Sequence, residues 1–551
     1  MRSTRKLGPL LATIFTLLTL TLAACGANTT SSTASGPKSG GQVIDGLFEE
    51  PDSMLPELSV ETFANMAEAA FWAPLLYGDN TGIIHEALAS AVPTAANGGV
   101  SSDLKTYTVH LKTGLKWSDG TPLTADDVAF TLNLIKNPDY GAKLQAGEFK
   151  NIASVDTPDP TTVVIHLTKP DVAFLALALT DPLAFAPLPK AIYGSLTPAS
   201  IAKSDNAFWP KVTSGPFTIT DRQKSDHITG KRNPNYFQAP KPYLDQITFK
   251  IIPDQNTLLT ALQSGAVDTA WFLDINKLET YKAIPNYTVV YDKVPVSFEA
   301  LYFNLTNPFL SDPKVRQAIT KAIDTKSLST NIWKGIATPT CDDGGGTFAH
   351  DASLIPCYTL DPAAAKALLQ GDGYTMGSDG YFTKGGKTLE LRYSTTAGKA
   401  YREQSELLVQ DQLKQIGIKV DIINFPADTF FGTVLADYTK YDMAEFANSL
   451  TYDPDNHTQW GCDQFLPNGF NISHWCNQDA QAQITKEQTS AAQSDRTTAF
   501  HQLYRDILAD NPVMWYYVYP DIACHNNKVG NYAPSAIGTS ETWNIWDWYR
   551  S

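Results

Sequence analysis

Residues 389–422 constrain the fold more than any other stretch of this 551-residue chain. Leu389, Leu391 and Tyr393 alternate with polar residues as a strand does, Val409, Leu413 and Ile416 then line one helical face, and after Gly417 the residues Ile418, Val420 and Ile422 alternate again. Strand, helix and strand in immediate succession predict a right-handed βαβ crossover with parallel strands. The fold class is therefore α/β. Other segments agree with it. Tyr107, Val109 and Leu111 read as a strand, as do Val163, Ile165 and Leu167. Thr124 with Asp127 three residues on reads as a capping box, ahead of a helical face of Val128, Leu132 and Ile135. Asp312-Pro313 reads as N-cap and first helical residue before Val315, Ala318, Ile319, Ala322 and Ile323.

The length suggests about three domains. With 43% hydrophobic residues the chain is too apolar for disorder. Its 42 basic residues against 57 acidic ones exclude a general nucleic-acid binder, which needs a basic footprint. One apolar segment alone suits a membrane, and it is N-terminal. Arg2, Arg5 and Lys6 precede an uncharged run from Leu10 to Ala24, which reads as a signal peptide over 1–24. Leu22-Ala23-Ala24-Cys25 resembles the lipobox of bacterial lipoproteins, so Cys25 is expected to carry a diacylglycerol anchor. Residues 25–41, rich in Ser, Thr, Ala and Gly, read as a flexible tether spanning roughly 20–24 Å. The body is thus expected outside the cytoplasm, anchored to a membrane it does not cross.

Six cysteines are present. Beyond Cys25, Cys341 with Cys357 and Cys462 with Cys476 each bracket a short loop, and an exported chain favours two local disulfides. Closing a loop of about 15 residues stabilises by about 3 kcal/mol in the chain-entropy account. Cys524 is left over, expected buried and inert. Cys462, His474, Cys476 and His457 compete as a zinc site, with a spacing that fits no standard zinc module.

Catalytic motifs are missing. No Gly-x-Ser-x-Gly elbow or Walker A loop occurs, and His85-Glu86-Ala87-Leu88-Ala89 lacks the second His of a zincin. The Gly371-Asp372-Gly373 turn has no phosphate-binding helix behind it. Carboxylate pairs suited to a glycosidase are a three-dimensional matter, which leaves a secreted hydrolase as the lower alternative. The chemistry expected is recognition, with no cofactor and no catalytic residue.

The segment Tyr107-Thr-Val-His-Leu-Lys-Thr-Gly-Leu-Lys-Trp-Ser-Asp-Gly-Thr-Pro-Leu-Thr-Ala-Asp-Asp-Val-Ala-Phe130 closely resembles the signature of family 5 extracellular solute-binding proteins, the oligopeptide and dipeptide binding class of ABC importers. Further landmarks follow in that family's order. They are Ser214-Gly215-Pro216-Phe217, Asn233-Pro234-Asn235-Tyr236-Phe237, Ala261 to Asp268, Tyr302-Phe-Asn-Leu305, Asp312 to Ile319, and Ser473-His474-Trp475-Cys476, the last resembling the end of a disulfide loop. The resemblance implies a periplasmic-binding-protein-like two-lobed clamp (type II) with an additional α/β domain. Carried over, lobe I holds 42–78, 213–300 and 525–551, the extra domain 79–212, and lobe III 301–524. It implies capture of peptides in an interdomain cleft by hinge closure and delivery to a membrane permease. A monomer is expected. Oligosaccharides or metal chelates are the alternative ligands.

In peptide-binding members an Asp four residues before a Pro meets the ligand's α-ammonium. Here that position is Leu450, four before Pro454, and the expected Trp is Ala447 beside Phe446. A buried ammonium without a carboxylate loses a charge-assisted hydrogen bond. Asp453 is the acid at hand. The landmarks place Trp271, Phe298, Phe446, Asn448, Leu450, Tyr452 and Asp453 as the candidate ligand-binding residues. Asp453-Pro454 reads equally well as a turn.

Overall fold

A strand buried on both faces needs apolar residues at every position, and Ser297–Phe303 (SFEALYF) comes close to that: all seven residues are buried. Leu301 and Phe303 pack into one apolar cluster, and Phe298, Ala300 and Tyr302 into another on the opposite face. In the computed structural model, which describes residues 37–551 except 60, 143–147, 181–184, 450, 452, 467–468 and 536–539, this strand is central to a six-stranded sheet. Its order is 338–339, 513–519, 297–303, 443–449, 390–394, 419–422. The expected signal peptide, Cys25 and most of the tether lie outside the described residues. No helix among the described residues is long and apolar enough to cross a membrane.

The sequence-derived crossover is present. Glu390–Ser394 and Lys419–Ile422 pair in parallel, with Leu391 opposite Val420, and helix Ala400–Gln415 joins them. Gly417 ends that connection at φ +87, where a Cβ would stand 2.9 Å from the Phe382 ring. Asp312 caps helix Pro313–Ala322 by accepting from Lys314 N–H at 2.9 Å. Thr124 and Asp127 form the capping box of helix Ala125–Ile135.

A second sheet has seven strands in the order 287–291, 522–526, 269–270, 42–47, 246–251, 227–232, 217–223. Strand Gln42–Leu47 lies parallel to both neighbours, and the outer pairs are antiparallel. A small antiparallel sheet, ordered 106–110, 162–167, 152–159, is inserted between 79 and 212, and its core is continuous with that of the seven-stranded sheet. Strand Ser297–Phe303 lies wholly in the six-stranded sheet and Ile522–Asn526 wholly in the seven-stranded one. The chain therefore passes between the sheets at 292–296 and returns at 520–521.

Two of the landmark motifs hold this core together. Gly215 N–H donates to Phe71 O at 2.8 Å, so tightly that a Cβ on residue 215 would sit 2.3 Å from the Phe71 carbonyl carbon. Ser214 Oγ accepts from Ala73 N–H at 2.9 Å, and Asn233 Nδ2 donates to Gly215 O at 2.8 Å. The carboxyl terminus returns to the same half: Arg550 Nη1 pairs with Asp268 Oδ1 at 2.7 Å and donates to Gln42 O.

Candidate functional site

Open α/β sheets bind ligands outside the carboxyl ends of their parallel strands. Here two such sets of ends face one cavity. Strand Gln42–Leu47 delivers Phe48 and the short strand Thr269–Ala270 delivers Phe272 from the seven-stranded half; strand Glu390–Ser394 delivers Gly398, Lys399 and Tyr401 from the six-stranded half. Trp333 and Tyr519 complete the wall, and Asp521 of the returning crossing also lines the cavity. The cavity volume is about 240 Å³.

The lining is aromatic and braced from behind. Trp333 stacks on Tyr519 with centroids 4.3 Å apart, and Tyr401 stands 6.3 Å from Tyr519. On the opposite wall Phe272, 37% exposed, rests on Trp271, which is 5% exposed, at 5.4 Å. Trp271 in turn packs edge-on to Phe63 at 6.1 Å, and Phe63 leans on Phe48. Trp271 thus forms the layer behind the cavity surface, and Phe272 is the ring that meets it.

Lys399 supplies the cation. Its Nζ sits 5.4 Å from the Phe272 centroid, reaching across from the other half. Burial lowers its pKa, with Arg402 adding repulsion and Glu49 opposing. It also occupies the N-cap of helix Ala400–Gln415 with no side-chain cap bond, so a cation and the positive end of the helix dipole stand together. Both favour an anionic ligand group at this spot. The helix is pinned by a buried fork: Arg402 Nε donates to Glu299 Oε1 at 2.7 Å, Nη2 to Oε2 at 3.3 Å, and Nη1 to Thr396 Oγ1 at 2.7 Å. Burial still raises the Glu299 carboxyl above its usual range, against the pull of Arg402.

A larger cavity of about 800 Å³ opens between the inserted small-sheet region and the six-stranded half. Lys169 and Asp171 face Asp455, His457 and Arg496 across it. Val172 N–H donates to Gln488 O at 3.4 Å, which closes one edge. Ligand pockets usually enclose roughly 300–1,000 Å³. The cavity beside the crossings lies just below that range, and this one lies within it.

The other sequence-derived residues fall as follows. Asp453 is held bidentately by Arg496, with Nη1 to Oδ2 at 2.7 Å and Nη2 to Oδ1. Asn448 donates to Tyr302 Oη at 2.8 Å, and Gln459 to the same oxygen at 2.5 Å. Phe298 and Phe446 are fully buried; Phe446 stacks on Tyr302 at 4.6 Å and meets the half-exposed Phe431 edge-on at 5.7 Å. Phe431 belongs to the π-helical turn Phe430–Val434, a conformation common at functional sites. Leu450 and Tyr452 lie outside the described residues. The sulfurs of Cys341 and Cys357, and of Cys462 and Cys476, stand at bonding distance, and Cys524 is free and buried. His457 bonds Asp463 at 2.9 Å and His474 stacks on Phe465 at 4.3 Å, so neither joins the cysteines as a zinc ligand. Among the described residues no group of three or more His, Cys, Asp or Glu is arranged to hold a metal.

Sequence reasoning missed Lys399, Tyr401, Phe272, Trp333, Tyr519 and Asp521. Only Lys399 and Tyr401 left a signal: they stand at the junction of the loop after the first strand of the βαβ unit and the helix that follows it.

Residues 84–464 match the model described as bacterial extracellular solute-binding proteins, family 5 Middle. The oligopeptide-binding protein AppA of Bacillus subtilis is 26% identical over 534 residues, 94% of each chain. The glutathione-binding protein GsiB of Escherichia coli is 29% identical over 337 residues, 59% of each chain. The solved structure of Bacillus subtilis AppA in complex with a nonapeptide matches with a TM-score of 0.76 at 25% identity, covering 94% of this chain and 100% of that one. The ABC transporter substrate-binding protein CtaP of Listeria monocytogenes matches with a TM-score of 0.80 at 24% identity, over 93% and 100% of the two chains.

Proposed function

The chain belongs to the bacterial extracellular solute-binding proteins of family 5, and from that premise we propose that it captures peptides between its two sheets and delivers them to an ABC permease. It is a binding protein and not an enzyme. The observation that carries the reading is the cavity at the carboxyl ends of both parallel strand sets, with Lys399 reaching across it to Phe272. The seam between the halves suits a ligand that is gripped when they approach, as clamps of this kind do. Lys399 holds an anionic end, such as a peptide carboxylate. Phe48, Phe272, Trp333, Tyr401 and Tyr519 pack its apolar part, with Trp271 behind them. Phe298 of strand Ser297–Phe303, Phe446 and Asn448 of strand Met443–Ser449, and Leu450, Tyr452 and Asp453 of the sequence that follows it complete the proposed set. Because Arg496 engages Asp453, a ligand ammonium has to displace or share that arginine.

In this reading residues 1–24 are a cleaved signal peptide, Cys25 carries the lipid, and 25–41 tether a monomeric body to the outer face of the membrane. The cysteine pairs are disulfides. The resemblance of the full chain to AppA supports peptides over sugars or metal chelates.

Native mass spectrometry of the purified protein tests the reading by identifying what co-purifies, and calorimetry with a peptide library then gives affinities. A bound peptide, with affinity reduced at least tenfold in Lys399→Ala, is expected. Tight binding of a sugar or chelate and of no peptide would overturn it.

A further inference from the structure

Each passage between the sheets is a few residues long, and each carries an acid. Segment 292–296 begins at Asp292, and the return is Pro520-Asp521. The strands on either side pair antiparallel, Tyr291 opposite Ile522 in one sheet and Ser297 opposite Tyr519 in the other. Between those two rungs Asp521 N–H donates to Asp292 Oδ2 at 2.9 Å. Asp292 is 6% exposed, and its Oδ1 has no hydrogen-bond partner. Asp521 lines the cavity beside the crossings.

The surrounding charges do not neutralise this pair. Asp292 faces Asp521 and lies within reach of the buried Glu541, which itself accepts from Tyr532 Oη and adjoins the buried Asp45. Asp521 shares its cavity with Asp274, Tyr401, Tyr519 and Lys399. Lys399 is engaged over Phe272, and its charged neighbours are Arg402 and Glu49. Among the described residues neither acid forms an ion pair.

We propose that Asp292 and Asp521 form a proton-operated latch on the hinge: with the two carboxyls protonated the crossings stay together as seen here, and with both ionised their repulsion drives the crossings apart and opens the seam to water. A hinge moves by changes in a few residues at element ends, so two like charges at that point act directly on the moving part. Burial pushes Asp521 up to about 7 and Asp292 well above the usual carboxylate range, with Asp521 adding to the rise in Asp292. In a watered arrangement both return towards ordinary values. The arrangement seen here therefore binds protons more tightly. It is fully favoured below about pH 4 and loses that advantage as pH rises towards 7, by up to about tenfold per pH unit for each proton.

The test uses the full-length body without ligand. Small-angle scattering from pH 5 to pH 8.5, with hydrogen exchange at the amides of Asp292, Lys293, Val294, Val296 and Asp521 expressed as protection relative to the intrinsic rate at each pH, is expected to show expansion and falling protection as pH rises. In Asp292→Asn/Asp521→Asn both readouts should stay flat at the pH 5 wild-type values, with unchanged melting showing that the variant folds. Should the double variant fail to fold, Asp292→Asn alone, whose amide oxygen still accepts from Asp521 N–H, should shift the midpoint and halve the slope. A flat wild-type profile, or a variant that keeps the wild-type midpoint, overturns the proposal.

Discussion

Glu57 is an acid placed where water does not reach. It is 2% exposed, has no ion pair among the described residues, and burial pushes its carboxyl up to about 8. Glu68, fully buried, is raised well above the ordinary range by burial and then by Glu57 and Asp52. A carboxyl whose folded pKa exceeds its unfolded value contributes its full stability below about pH 4.5, and that stability is lost as pH rises through about 8. Glu57→Gln removes the share of that dependence that Glu57 carries, and eases the rise in Glu68. Denaturant midpoints should show the variant equal to the wild type at pH 4 and more stable by at least about 2 kcal/mol at pH 8. A variant that loses stability at every pH would mean that the carboxylate is compensated by a group still to be identified. Residue identity is also the hardest scale at which to read the site from sequence. The place after Asp268 singles out Trp271, yet the exposed ring at that point is Phe272, because the strand stops at Ala270 and Phe272 takes left-handed backbone at φ 60°, a local turn that the landmarks do not encode.

Elements are legible where a local rule writes them. Asp312-Pro313, the Thr124 capping box and the strand–helix–strand of 389–422 depend on residues within one or two turns of each other, and all three are present in the fold. The π-helical turn Phe430–Val434 carries no such rule, and the pairing of Ser297–Phe303 with both 443–449 and 513–519 is set by partners about 150 and 220 residues away. The landmarks Ser214-Gly215-Pro216-Phe217 and Asn233-Pro234-Asn235-Tyr236 point to the family, and in the folded chain they hold backbone together, since Gly215 lets two backbones touch and Asn233 ties the carbonyl beside them. Gly215→Ala should therefore destabilise the fold by at least about 2 kcal/mol, since the added carbon meets backbone that has no room to move. Thermal melting checks this; a melting curve like the wild type's would mean that Phe71 and Trp72 shift freely.

At the scale of the molecule, the six-stranded half is one uninterrupted stretch of chain, whereas the seven-stranded half is assembled from three stretches and holds the C-terminus and the first strand together through Arg550. The stretch starts at Ser297 and stops at Tyr519, and those two residues sit directly opposite each other in the ladder. Entry and exit thus share one doorway. A segment with that property behaves as a cassette: it can be lifted out of one relative and set into another with two splices at a single spot, leaving the host's own strand order untouched. Exchanging 297–519 with the matching stretch of an AppA-like protein should give a chimera that melts cooperatively and takes its preference for the ligand's charged end from whichever parent supplied the residue at 399. A collection of such inserts on one common base offers a short route to new solute specificities.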